Sequence, residues 1–165
     1  MKERRSIRKF KSELPSKANL EQIVEAGLYA ANDMEKQATK IIVITDKKLR
    51  DKIMEMNSKI GGWDQGFEPF YGAPAMLIIL AEKDWRNKIY EGSLVMGNLM
   101  LAAHSLCLGS IWIHRAREEF ESDEGKEILK SLGIEGEWEG IGHCAVRLFA
   151  LKIFCSIDKN RFFIK

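Results

Sequence analysis

The sequence predicts one domain, residues 1–165, in which helices pack on a mixed β-sheet, of the α/β or α+β class. Three observations predict it. Short β-branched runs alternate along the chain with segments whose apolar residues recur at helical spacing. The three prolines, Pro15, Pro69 and Pro74, stand in no linker-like stretch, and no repeat or low-complexity tract divides the chain. A length of 165 residues also suffices to bury roughly 70% of the unfolded surface around a single core.

Each element has its own signal. After Pro15, Asn19 suits a helix N-cap, with Gln22 as its capping-box partner and apolar positions at Leu20, Ile23, Val24, Gly27 and Ala31. Ile41–Thr45 is short and β-branched, as a buried strand is. A helix over Lys48–Ile60 aligns Leu49, Ile53, Met56 and Ile60 along one stripe and ends at Gly61 and Gly62. The stretch GGWDQGFEPFYGAP has no period and reads as a loop. Its Trp63, Phe67, Phe70 and Tyr71 either cover a pocket or anchor the loop to the core. Ala75–Ala81 is a second buried strand. Ser93–Gly109 is apolar almost all round, as a helix buried on every side is, and a partner subunit would supply the second cover. Ser110–His114, Gly140–Leu151 and Arg161–Lys165 complete the strands, with a short helix over Glu124–Leu132.

Composition excludes some partners. With 26 basic against 24 acidic residues the net charge is only +2, whereas a nucleic-acid backbone selects a large basic excess. Nucleic acid is not the expected partner. Cys107, Cys144 and Cys155 are odd in number and lack zinc spacing, so they read as free thiols in a reducing compartment. The sequence carries no membrane-length apolar run and no secretory leader, so the expected location is the cytoplasm.

Familiar chemical motifs are missing. There is no GxxxxGK[ST] loop, no GxSxG elbow and no GxGxxG opening a helix; Gly140 and Gly142 lead into a strand instead. His104, His114 and His143 lack metal-ligand spacing, and His104 reads as a core histidine on an apolar helix. No metal site and no catalytic side chain are expected. What stands out is the opening MKERRSIRKF, where Arg4, Arg5, Ser6 and Arg8 form either a solvated basic tail or a grip on a phosphate. A basic entry without acid–base machinery suits an enzyme whose cofactor carries the chemistry.

RRSIRKFKSE followed by a helix resembles the N-terminal motif of the nitroreductase family of FMN-dependent oxidoreductases. GNLMLAAHSLCLGSIWIH resembles that family's central helix and following strand, and EGIGHCA its later strand. The resemblance implies an α+β fold, with a central mixed sheet flanked by helices, in a homodimer whose C-termini exchange. It implies FMN as cofactor, with NAD(P)H as hydride donor and a nitroaromatic, quinone or similar acceptor. Arg4, Arg5 and Ser6 would hold the phosphate and ribityl chain, and Arg8 would reach the pyrimidine edge. Ile113 and His114 fall where the family runs backbone past flavin N5. Met34, Glu35 and Gln37, in AANDMEKQA, match the segment lining the flavin from the other subunit.

The chain departs from the family pattern at three places. Glu35 and Ala38 stand where asparagine and proline are common, and Arg147, Leu148 and Phe149 replace Gly-Tyr-Pro. Near the C-terminus only Lys159 or Arg161 remains to meet a phosphate. These departures motivate an alternative, a flavin-binding protein without turnover that acts as sensor or carrier.

Overall fold

The computed structural model describes residues 3–8, 13–64 and 66–148. The expected strand at Arg161–Lys165, the C-terminal exchange, and residues 149–151 of the expected fourth strand lie outside them.

Two helices pack on one face of a sheet and three on the other. The first helix, α1 (Lys17–Leu28), starts earlier than expected. Its cap is Ser16, whose side chain accepts from the Asn19 N–H; Asn19 is the donor in that turn and not the cap. Ala31 falls beyond the helix. The first strand, β1, spans Thr39–Ile44 and is followed by α2 (Lys47–Gly61). Asp46 caps α2, and left-handed Gly62 closes it. The fully buried β2 covers Ala75–Glu82. The central helix α3 runs Lys88–Ser105, five residues earlier at its start than expected, and β3 covers Leu108–Ile113. The turn after β3 leads into α4 (Ala116–Glu121), too short to show a period in the sequence. It is followed by α5 (Asp123–Ser131) and β4 (Trp138–Leu148).

The sheet order is β1-β2-β4-β3. All three strand pairings are antiparallel. Among the described residues the expectation of a mixed sheet is therefore met by the parallel bridge between Ser6 and Ser110 alone. Alternation along the strands separates two cores. One gathers Ile53, Met56, Phe70, Ile78, Phe120 and Ile128 beneath α2, α4 and α5. The other gathers Leu20, Ile23, Leu77, Val95, Met96 and Leu99 beneath α1 and α3.

The second face of α3 is not covered by the described residues. Ile89, Tyr90 and Leu94 are exposed on α3, and Leu28 and Tyr29 are exposed at the end of α1. Contiguous apolar exposure of this kind marks an interaction surface. The structure also explains the GxG of β4. A side chain at Gly140 would run into the Ala116 carbonyl, and one at Gly142 would strike the indole of Trp112. Gly140 permits the close approach of α4 to β4 and Gly142 permits close packing across the sheet, so neither marks a phosphate loop.

Candidate functional site

The N-terminal residues lie along the outer edge of β3. Ile7 is buried, and its N–H donates to the Ser110 carbonyl at 3.1 Å beside the Ser6–Ser110 bridge. This anchor fixes its neighbours. Arg4, Arg5 and Ser6 are half-buried, whereas Arg8 is exposed. The Arg5 Nη1 donates to the Arg4 carbonyl at 2.7 Å. Arg4 Nη1 is buried and has no hydrogen-bond partner among the described residues. A guanidinium nitrogen withdrawn from water needs an acceptor, and an anion is the acceptor that suits it best. A solvated tail would show neither the backbone anchor nor the burial.

The end of β3 supplies a second part. Ile113 is buried; His114 is exposed, with its ring stacked on that of Trp112 at 5.5 Å. Arg115 takes a left-handed φ of 78° to turn the chain into α4. An open cleft of about 640 Å³ lies beside this turn, lined by Ile89, Ser93, Trp112, His114, Arg117 and Ile141 among others. The loop aromatics connect the two parts. The Arg115 guanidinium sits 5.0 Å from the Trp63 ring, Trp63 contacts Phe67 at 5.0 Å, and Phe67 meets Tyr71 edge-on at 5.9 Å. Arg8 lies 5.9 Å from the Tyr71 ring. An aromatic row thus runs from the N-terminal motif to the turn after β3. Phe70 instead fills the core at 0% exposure, as an anchor of the loop does.

Met34, Glu35 and Gln37 are not brought to these residues. They lie in the turn between α1 and β1, and β1 is the edge strand opposite β3. All three are exposed and left-handed, with φ of 56°, 54° and 48°. The turn is held from beneath. The buried Glu91 carboxylate accepts from the Asp33 N–H at 2.9 Å and from Trp85 Nε1 at 2.8 Å, while Asp33 accepts from Asn87 at 2.7 Å and Arg86 at 3.0 Å. Lys36 pairs with Glu82 at 2.6 Å, and Glu35 forms no ion pair among the described residues. Lys159 lies outside the described residues.

One cluster escaped the sequence reading. Asn57, Glu119 and His143, all at 0% exposure, meet beneath the turn after β3. Asn57 Nδ2 donates to the His114 carbonyl at 2.8 Å and to Glu119 Oε1 at 2.5 Å. His143 Nε2 lies 2.6 Å from Glu119 Oε2, in close contact but without hydrogen-bond geometry. Phe70 and Phe120 flank the imidazole. Nearby on β4, burial pushes the Cys144 thiol up to about 12, with the Arg4 charge acting weakly against it. Cys144 is therefore an inert thiol. No helix among the described residues is long and apolar enough to cross a membrane.

Comparison with known proteins bears on the family and the fold. The model of the nitroreductase family matches residues 1–146. A protein of Methanothermobacter thermautotrophicus with the provisional name NADH dehydrogenase/NAD(P)H nitroreductase is 25% identical over 121 residues, 68% of this chain. The chain spans 57% of that relative's length. Among solved structures, a Bacteroides fragilis nitroreductase with bound FMN superposes at a TM-score of 0.88, with 22% identity, covering 98% of this chain and 94% of its own. A Desulfitobacterium hafniense nitroreductase with bound FMN gives 0.87 and 26%, covering 99% and 95%.

Proposed function

The chain belongs to the nitroreductase family, and from that premise we propose that it is an FMN-dependent oxidoreductase. Its hydride donor is NAD(P)H and its acceptor a nitroaromatic, a quinone or a similar compound. The observation that carries this reading is Arg4 Nη1, buried at the β3 edge without an acceptor among the described residues. It fits the phosphate of FMN. Bound there, FMN would supply a ring that accepts hydride and returns it.

The protein's own residues would bind and orient. Arg4 and Arg5 neutralise the phosphate, and the Ser6 hydroxyl adds a donor. Arg8, held over Tyr71, brings positive charge to the pyrimidine edge and favours negative charge there. Backbone at Ile113 and His114 borders the reacting edge, and the apolar walls of the adjacent cleft suit a planar ring. Lys159 is a further candidate for the phosphate. No side chain acts as nucleophile.

Met34, Glu35 and Gln37 would complete the site from a second copy of the chain. Their place at the opposite sheet edge and the open apolar face of α3 support a homodimer with two composite sites. Reduced nicotinamide and acceptor would use one site in turn, giving ping-pong kinetics. The exposed, unpaired Glu35 supports the second reading, a flavin protein without turnover, since a carboxylate near the ring opposes its reduction. One experiment separates the two. Purified protein should be yellow, and anaerobic NADH or NADPH should bleach it; yellow protein that bleaches with neither nucleotide contradicts the enzyme.

A further inference from the structure

We propose that Asn57, clamped by Glu119 and through it by His143, is a positioning residue that turns the Arg115 backbone N–H outward as a hydrogen-bond donor toward bound flavin. The inference rests on the flavin reading above and adds a part to that site. It begins with the peptide joining His114 to Arg115. The carbonyl of that peptide accepts from Asn57 Nδ2 at 2.8 Å. None of the described peptide bonds is cis, and in a trans peptide the carbonyl and the N–H point in opposite directions. With the carbonyl held inward, the Arg115 N–H points away from the buried cluster, at the end of the edge strand.

The clamp is over-determined. Both partners of the Asn57 amide nitrogen, a carbonyl and a carboxylate, accept hydrogen bonds and donate none, so its orientation is fixed. The His143 imidazole lies against Glu119, with Nε2 at 2.6 Å from Oε2, so it blocks the carboxylate from turning away, and His143 is itself wedged between Phe70 and Phe120. Three polar groups at 0% exposure are an expensive way to build a core, and apolar residues of similar volume would fill it as well. Their common product is one fixed backbone carbonyl. Arg115 also holds a left-handed φ of 78° without being glycine, a conformation that persists only where its surroundings enforce it.

The test compares wild type with Asn57→Leu, which keeps apolar volume and removes the donor. The double variant Asn57→Leu/Glu119→Gln serves as well, because it leaves no uncompensated carboxylate if the single variant folds poorly. In 15N NMR of FMN-free protein, the Arg115 amide should shift far more in the variant than amides of β2. On titration with FMN, wild type should show a saturable Arg115 shift that the variant lacks. Both should bind FMN to within about threefold, while anaerobic reduction by NADH slows about 10- to 100-fold in the variant. A variant with the wild-type Arg115 response and wild-type reduction rate overturns the inference, whatever its melting temperature. Wild type that binds FMN but never bleaches removes the enzyme reading, and the Arg115 response still decides the positioning. Wild type that binds no FMN removes both.

Discussion

The two edges of the sheet carry the two halves of the candidate site, and they are built differently. At the β3 edge the backbone of Ser6 and Ile7 is stitched to Ser110, and Arg4 keeps a buried donor without an acceptor among the described residues. At the β1 edge Glu91, Asn87 and Arg86 are all engaged on or around Asp33, and Glu91 Oε2 is the one buried side-chain atom among them without a partner in the described residues. What remains exposed there is a shape, three non-glycine residues in left-handed conformation, each disfavoured by about 1 kcal/mol or more. One edge is prepared for charge and the other for contact. Strands β1 and β3 are opposite edges of the sheet formed by the four described strands. On the reading proposed above, a complete site takes one edge from each of two chains.

The largest effect separating the edges should come from Arg4→Ala. Losing a charge-assisted contact to phosphate should weaken FMN binding about 10- to 100-fold in a fluorescence-quenching titration. The FMN-free protein should melt no earlier than wild type, since no protein partner is orphaned. A variant that binds FMN as well as wild type would break the assignment of charge to the β3 edge.

Glu91→Ala should act in the opposite sense. It strands the Asp33 N–H and the Trp85 indole, so urea unfolding of the FMN-free protein should show a loss of about 1–3 kcal/mol. Unchanged stability would mean that the turn at the β1 edge is not held from beneath. Between these two lies the thiol chemistry of the sheet. Native protein at mildly alkaline pH should be alkylated at exposed Cys107 and spared at buried Cys144. The sign for stability follows. Cys144 keeps its proton when folded up to about 12, while the unfolded thiol ionises near its ordinary value. Its contribution is therefore intact below that value and is lost progressively as pH rises toward 12. Equal labelling of both cysteines in native protein would contradict the burial. The smallest effect should come from Glu35→Asn. An exposed, unpaired carboxylate is screened by water, so FMN affinity should rise by less than about threefold. A large gain would place Glu35 against the ring and favour the reading without turnover.

The strands were legible because β-branched runs such as IIVIT and AMLIILA leave few other fates for the chain. The N-terminal motif was legible because residue types and order survive where geometry is invisible. What escaped did so for physical reasons. Ser16 and Asn19 both carry cap-forming side chains three residues before a polar partner, and only the backbone decides between them. The polar start of α3, KIYEG, dilutes a pattern read from apolar residues. Helix α4 has six residues, fewer than two turns. Asn57, Glu119 and His143 lie on α2, α4 and β4, and no local spacing links them. A histidine without ligand spacing gave no hint of a carboxylate 24 positions earlier in the chain.

Sedimentation velocity, followed at the flavin's visible band after loading with FMN, tests the composite site most directly. The account predicts that the yellow boundary travels as one species of twice 18.9 kDa. Flavin absorbance moving with a stable 18.9 kDa monomer would contradict it, because a single chain would then hold the cofactor without the opposite edge of a second.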